Sequence, residues 1–134
     1  IGRATAILLA ECGANVIALS RTQSDLDSLK EISGNIKTIC ADLLNLDEAV
    51  KAIESTDDHI DLLVNNAAQI TPQCSVLDIT EDELNKTIKV NLTTPLRLSQ
   101  MVARDLIKRG VSGAIVNVSS IISNRFTLEM PQYR

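Results

Sequence analysis

Aromatic side chains are almost missing from this 134-residue chain: it has no tryptophan, one phenylalanine, Phe126, and one tyrosine, Tyr133. Its core must therefore be aliphatic, packed from leucine, isoleucine, valine and alanine. A surplus of positive charge is missing too. Thirteen Lys and Arg stand against seventeen Asp and Glu, a net charge of −4. A surface that grips phosphate backbones needs an excess of cations, so no nucleic acid is expected as a partner. Cysteine is sparse and odd in number: Cys12, Cys40 and Cys74, with no CxxC and a single histidine. A metal site is therefore not expected, and the three thiols read as buried, reduced cysteines of a cytoplasmic protein. No apolar run approaches the ~20 residues of a membrane-spanning helix. No signal peptide is visible, and Ile1 does not read as a natural start.

What is present is ordinary for a globular chain, 45% hydrophobic and 22% charged. The length suffices for one domain with a real core, and residues 1–134 are read as that single domain. Helical and extended patterns alternate. Residues 3–12 predict a helix with Ala4, Ile7 and Leu8 on one face and Gly13 as its stop. A short apolar strand follows at 14–19. Thr22 opens a second helix with Leu26, Leu29 and Ile32 at helical spacing. After a turn at 33–35 comes a strand at 36–40. Asn45 with Glu48 predicts a capping box before the stripe Leu46, Ala49, Val50 and Ile53. Another strand is expected at 60–67. Thr80 with Glu83 forms a second capping box, opening a long helix that ends at Gly110. The last strand is expected at 113–120. Strands apolar on both faces, each followed by a helix, predict an α/β fold with a parallel sheet covered on both sides.

In open α/β sheets, ligands bind outside the carboxyl ends of the strands. Ser20 and Arg21 follow the first visible strand, Asp42 the second, Asn65 and Asn66 the third, Ser119 and Ser120 the fourth. Polar residues end strands in any protein; four such ends on one sheet edge also describe a ligand site. Gly2 opens the first helix, where the tail of a dinucleotide fingerprint would lie. At the distance where an acid would bond the ribose of NAD stand Ser20, Arg21 and Thr22. Arg21 suits a 2′-phosphate, hence NADP, or else it is a solvated surface arginine. The long helix holds a second anomaly. Leu84, Ile88, Asn91 and Pro95 fall near one stripe, with Leu92, Leu96 and Val102 beside it. Asn91 thus lies on or near the apolar face, and Pro95, four residues on, has no N–H for the Asn91 carbonyl. That combination is either a simple kink or a freed carbonyl able to hold a water.

The stretches "DLLVNNAA", "VNL" at 90–92, "GAIVNVSS" and a tyrosine thirteen residues past Ser120 resemble the short-chain dehydrogenase/reductases over essentially the whole chain. Within that family, "SRTQSDLDSL" and "LIKRGVSGAIVNVSS" look most like the L-xylulose (dicarbonyl) reductases. The resemblance implies a Rossmann-like doubly wound parallel sheet in three α/β/α layers, here incomplete. It implies catalytic roles for Asn91, Ser120 and Tyr133: Asn91 holds a water, Ser120 positions a substrate carbonyl, and Tyr133 protonates it. It implies cofactor contacts from Gly2, Ser20, Arg21, Thr22, Asp42, Leu43, Asn65 and Ala67, with NADP(H) as cofactor and a small carbonyl compound as substrate. It further implies a homotetramer built through helix 81–109.

A nearby cation would lower the phenol's ordinary pKa of about 10 towards neutrality. In the family that cation is a lysine four residues after the tyrosine, which would be residue 137. The resemblance therefore leads to the expectation of a fragment without the first strand, the lysine and the C-terminal part, inactive and unstable on its own. The alternatives are a carbonyl reductase of the same family with a steroid, tropinone-like or acyl-carrier substrate, or a non-catalytic dinucleotide-binding piece.

Overall fold

The computed structural model describes residues 1–70 and 75–121. The chain divides into two compact units, Ile1–Asp58 and His59–Arg134. The described strands form two parallel sheets of two strands each.

In the first unit the order is α1 (Gly2–Glu11), β1 (Val16–Ser20), α2 (Gln23–Lys30), β2 (Ile36–Cys40) and α3 (Leu46–Glu54). Strand β1 pairs with β2 from Val16 opposite Ile36 to Ser20 opposite Cys40. Parallel neighbours need a crossover, and α2 supplies it. Its Leu26 and Leu29 are buried. Leu29, Ala10 and Ile36 form the core, with Ala6, Ile7, Val16 and Ala18 packed around them. Gly13 closes the first helix with φ +91°, a left-handed turn that glycine adopts without strain.

Three local expectations need correction. The buried stripe of α1 runs through Ala6, Ile7 and Ala10; Ala4 and Leu8 are exposed, Leu8 by 60%. "ATAILLA" is apolar nearly all round, so periodicity alone does not choose the stripe. Ile32 is exposed because α2 ends at Lys30, before the stripe reaches it. The capping box at Asn45 does not form. Asn45 precedes α3 with φ −99° and ψ 62°, away from the extended backbone of a capping residue, and its side chain bonds no helix N–H. Asp42 shapes that loop instead. Its carboxylate accepts from the Leu44 N–H at 2.9 Å and its carbonyl from the Asn45 N–H at 2.9 Å.

The second unit contains β3 (Leu62–Asn65), a 3₁₀ turn (Val76–Asp78), α4 (Glu81–Ile88), a π-helical turn (Lys89–Thr93), α5 (Thr94–Arg109) and β4 (Ala114–Asn117). Strands β3 and β4 pair in parallel from Leu62 opposite Ala114 to Asn65 opposite Asn117. Both strands are shorter than the apolar runs suggest, so Asn66, Ala67 and Val118 to Ser120 lie beyond the strand ends. The capping box of α4 does form: Glu83 N–H donates to Thr80 Oγ1 at 3.3 Å and Thr80 N–H to Glu83 Oε2 at 3.1 Å. Thr94, Leu98, Val102 and Leu106 make the buried stripe of α5, whereas Leu84, Ile88, Leu92 and Leu96 of the expected stripe are exposed. Apolar residues lie on more than one face of this long helix, so period alone does not choose the buried one. Gly110 stops that helix in the left-handed conformation.

The return to β4 is tight. A Cβ on Gly113 would collide with the Asp61 carbonyl oxygen and with both methyls of Leu106. Arg109 fastens the same corner, donating to Asp105 at 2.7 Å, Asp61 at 2.9 Å and the Ile60 carbonyl at 3.4 Å. Its bonds to Asp61 and then Asp105 hold the guanidinium pKa above its ordinary value.

Candidate functional site

Two sets of polar residues gather at the carboxyl ends of strands, one in each unit. In the first unit the ladder continues one step beyond Ser20 and Cys40, for the Ser20 carbonyl accepts from Ala41 N–H at 3.0 Å. Arg21 and Asp42 therefore leave from adjacent strand ends. Arg21 is exposed, and its carbonyl accepts the Cys40 thiol at 3.7 Å. Ser20 Oγ accepts from Thr22 N–H at 3.3 Å, turning the chain into α2. Thr22 caps that helix with extended backbone while its hydroxyl makes no cap bond. Asp42 is committed to its own loop, and Leu43 beside it is half-buried. Gly2 is the first residue of α1 and half-buried.

The donor chemistry at β1 can be tested against a dinucleotide. One guanidinium and two hydroxyls follow each other with no carboxylate among them. That set matches a phosphate monoester and lacks the acid that would bond a ribose 2′-hydroxyl. The residues fit a nicotinamide dinucleotide.

In the second unit Asn65 ends β3. Its amide donates to Ser99 Oγ on α5 at 3.2 Å and to Asn117 Oδ1 on β4 at 2.9 Å. Ala67 is exposed two residues later. Asn91 sits in the π turn and clamps the loop after β3. Its Oδ1 accepts from Gln69 N–H at 2.7 Å, and its Nδ2 donates to the Gln69 carbonyl at 2.9 Å. The amide that looked costly on an apolar helix face is thus satisfied on both atoms. The helix widens where Pro95 offers no N–H and its ring crowds the carbonyl of residue 91. Ser120 lies three residues beyond β4 and is half-buried. Tyr133 lies outside the described residues.

The structure thus places Ser20, Arg21, Thr22, Asp42 and Leu43 around one pair of strand ends. It places Asn65, Ala67, Asn91 and Ser120 in the other unit. Sequence reasoning passed over Gln69, Ser99 and Asn117. A faint signal existed for Asn117, an asparagine ending a strand as Asn65 does. Among the described residues, no group of three or more His, Cys, Asp and Glu could hold a metal ion. No helix there is long and apolar enough to cross a membrane.

Comparison with known proteins gives the following. The family model described as short chain dehydrogenase matches residues 1–134. L-xylulose reductase of Mesocricetus auratus is 45% identical over 125 residues, 93% of this chain and 50% of that protein. Carbonyl reductase (NADPH) 2 of Sus scrofa is 42% identical over 124 residues, 92% of this chain and 50% of that protein. Among solved structures, 4-hydroxyisoleucine dehydrogenase complexed with NADH and succinate superposes with a TM-score of 0.89 at 29% identity. That match covers 99% of this chain and 58% of the other. The chain spans about half the length of the curated relatives it matches.

Proposed function

The chain belongs to the short-chain dehydrogenase family, and from that premise we propose that the protein carrying it is an NADP(H)-dependent reductase of small carbonyl compounds, of the L-xylulose or α-dicarbonyl type. Residues 1–134 are its dinucleotide-binding Rossmann-type domain. The relatives called L-xylulose reductase and carbonyl reductase support the substrate class. The observation that carries the cofactor choice is the Ser20–Arg21–Thr22 sequence at the paired ends of β1 and β2.

NADPH, when bound, supplies the hydride that reaches the carbonyl carbon. Arg21, with the hydroxyls of Ser20 and Thr22, would hold the 2′-phosphate. Asp42 and Leu43 would sit beside the adenine, Gly2 would begin the helix that receives the phosphates, and Asn65 and Ala67 would support the cofactor. The Ser120 hydroxyl donates to the substrate oxygen and fixes its position. The Tyr133 phenol delivers the proton to that oxygen. Asn91 belongs to the proton relay through its main chain, since its side chain is already spent on Gln69. Leu84, Ile88, Leu92 and Leu96, four residues apart and all exposed, fit a helix face that packs against further copies in a homotetramer. The thiols Cys12 and Cys40 are exposed, not buried as expected, and free exposed thiols fit a reducing compartment such as the cytoplasm.

Titration of the full-length protein with NADPH and NADH tests the reading. A charge-assisted phosphate contact is worth about 1.5–3 kcal/mol. Arg21→Asp should therefore weaken NADPH at least roughly tenfold and leave NADH nearly unchanged. Equal NADPH affinity in both proteins would sink the assignment.

A further inference from the structure

Asn65 joins three elements with one side chain and its own carbonyl. Its amide nitrogen carries two hydrogens, so it can donate to Ser99 Oγ and to Asn117 Oδ1 together. Its carbonyl accepts from the Val118 N–H at 2.9 Å. Residues 117 and 118, the last that β3 holds, are therefore fastened by one residue, through a side chain and then a backbone bond. Ser120 follows only two residues later, a reach of about 7 Å. On the other side, Ser99 lies eight residues after Asn91 on the same continuous helix, about two turns along it.

We infer that Ser99 and Asn117 are positioning residues that set the place of Ser120 relative to Asn91, acting through Asn65. This rests on the reductase reading above. Ser99 fixes one amide hydrogen of Asn65 and Asn117 fixes the other, so the side chain cannot rotate. The exit path of β4 is held by the same residue. With either partner removed, the Asn65 amide loses one of its two acceptors, and the hold on the segment leading to Ser120 weakens. The carbonyl bond to Val118 alone does not restore both constraints.

The chemistry of the acceptor makes the idea separable from a merely structural role. Asn117 contributes an oxygen, so Asn117→Asp keeps the acceptor, whereas Asn117→Leu keeps the approximate volume and removes it. Ser99→Thr and Ser99→Ala make the same pair on the helix.

The test is steady-state reduction by the full-length protein, with kcat and KM separated. A misplacement of about 1 Å costs up to about 10²-fold. Asn117→Leu should lower kcat roughly 10- to 100-fold with KM and NADPH affinity within about threefold, and Asn117→Asp should recover most of the rate. A folded Asn117→Leu protein with kcat within about twofold of wild type overturns the inference, as does an Asp variant no better than the Leu variant. If the Leu variant does not fold, the Ser99→Ala and Ser99→Thr pair is judged by the same criteria.

Hydrogen exchange at the Val118 amide gives a readout that needs no turnover. It should quicken roughly tenfold in Asn117→Leu and return in Asn117→Asp. A wild-type protein that reduces no carbonyl would remove the reductase reading. The exchange rates would then decide alone, and an unchanged rate in Asn117→Leu would overturn the inference.

Discussion

Gly113→Ala should be among the most damaging small substitutions in the second unit. The added methyl would fall onto the Asp61 carbonyl oxygen, and within 2.6 and 2.8 Å of the two methyls of Leu106. Leu106 is buried, so its methyls have little room to retreat. The Asp61 oxygen is main chain, and it accepts the Ala114 N–H at 3.0 Å just before the ladder opens at Leu62 and Ala114. Relief therefore requires β3 and β4 to separate at that end. Overpacking of this kind costs about 1–3 kcal/mol, and the weakened backbone bond adds about 1 kcal/mol. The sum of about 2–4 kcal/mol is a large share of the about 5–15 kcal/mol that holds a domain together. Gly34→Ala is the internal control: nothing lies within 4 Å of its Cβ position and its backbone is not left-handed. It should be neutral, or stabilise by up to about 1 kcal/mol through the unfolded chain. Urea unfolding of the full-length protein and both variants gives the comparison. A Gly113→Ala midpoint equal to that of Gly34→Ala would show that the close approach to Asp61 carries no energy.

Glu83 gives a pH signature. Its carboxyl is held below the ordinary value of 4.5 by the Thr80 backbone N–H and then by the Thr80 hydroxyl. A lowered folded-state pKa stabilises fully above the unfolded value and ceases to do so as pH falls through the folded one. The stability advantage of wild type over Glu83→Gln should thus persist near neutrality and close below about pH 4.5; an advantage unchanged in acid would contradict the capping bonds. Tyr133→Phe in the full-length protein should leave NADPH binding nearly intact while turnover falls by about 10²–10⁴-fold. Retention of more than roughly a tenth of the rate would remove Tyr133 from the role of proton donor.

Much of the fold was legible because burial imposes a period. The pair Leu26 and Leu29 and the run "IKTIC" read directly as helix and strand, and the Thr80–Glu83 box marked a helix start to the residue. On the long helix, by contrast, the expected stripe through Leu84, Ile88, Leu92 and Leu96 lies exposed, and Thr94, Leu98 and Leu106 are buried with Val102 instead. Where every residue is apolar, as in "ATAILLA", period carries no phase, and the buried face depends on what the helix meets. At Asn45 the residue types of a capping box were present, but Asp42 had already taken control of the backbone. A short polar side chain three residues upstream outweighed the motif, a competition that residue types alone do not resolve.

The site was legible in a different way, through residues that conflict with their surroundings. Asn91 on an apolar face and Pro95 inside a helix are each unfavourable alone. Together they are consistent. The proline removes one helical hydrogen bond and crowds the turn before it, and that turn opens into the π form over Lys89–Thr93. On that widened turn, the Asn91 amide lies alongside the backbone of Gln69, twenty-two residues earlier, with both its atoms bonded. The sequence marks such a conflict but not its resolution, because the partner is a backbone amide and carbonyl that carry no side-chain signature. The same holds for Asn65, whose partners Ser99 and Asn117 look unremarkable until strand register and helix packing bring them to one nitrogen. Residues that break a local rule can therefore be found by reading, whereas the residues that compensate them are found only in the fold.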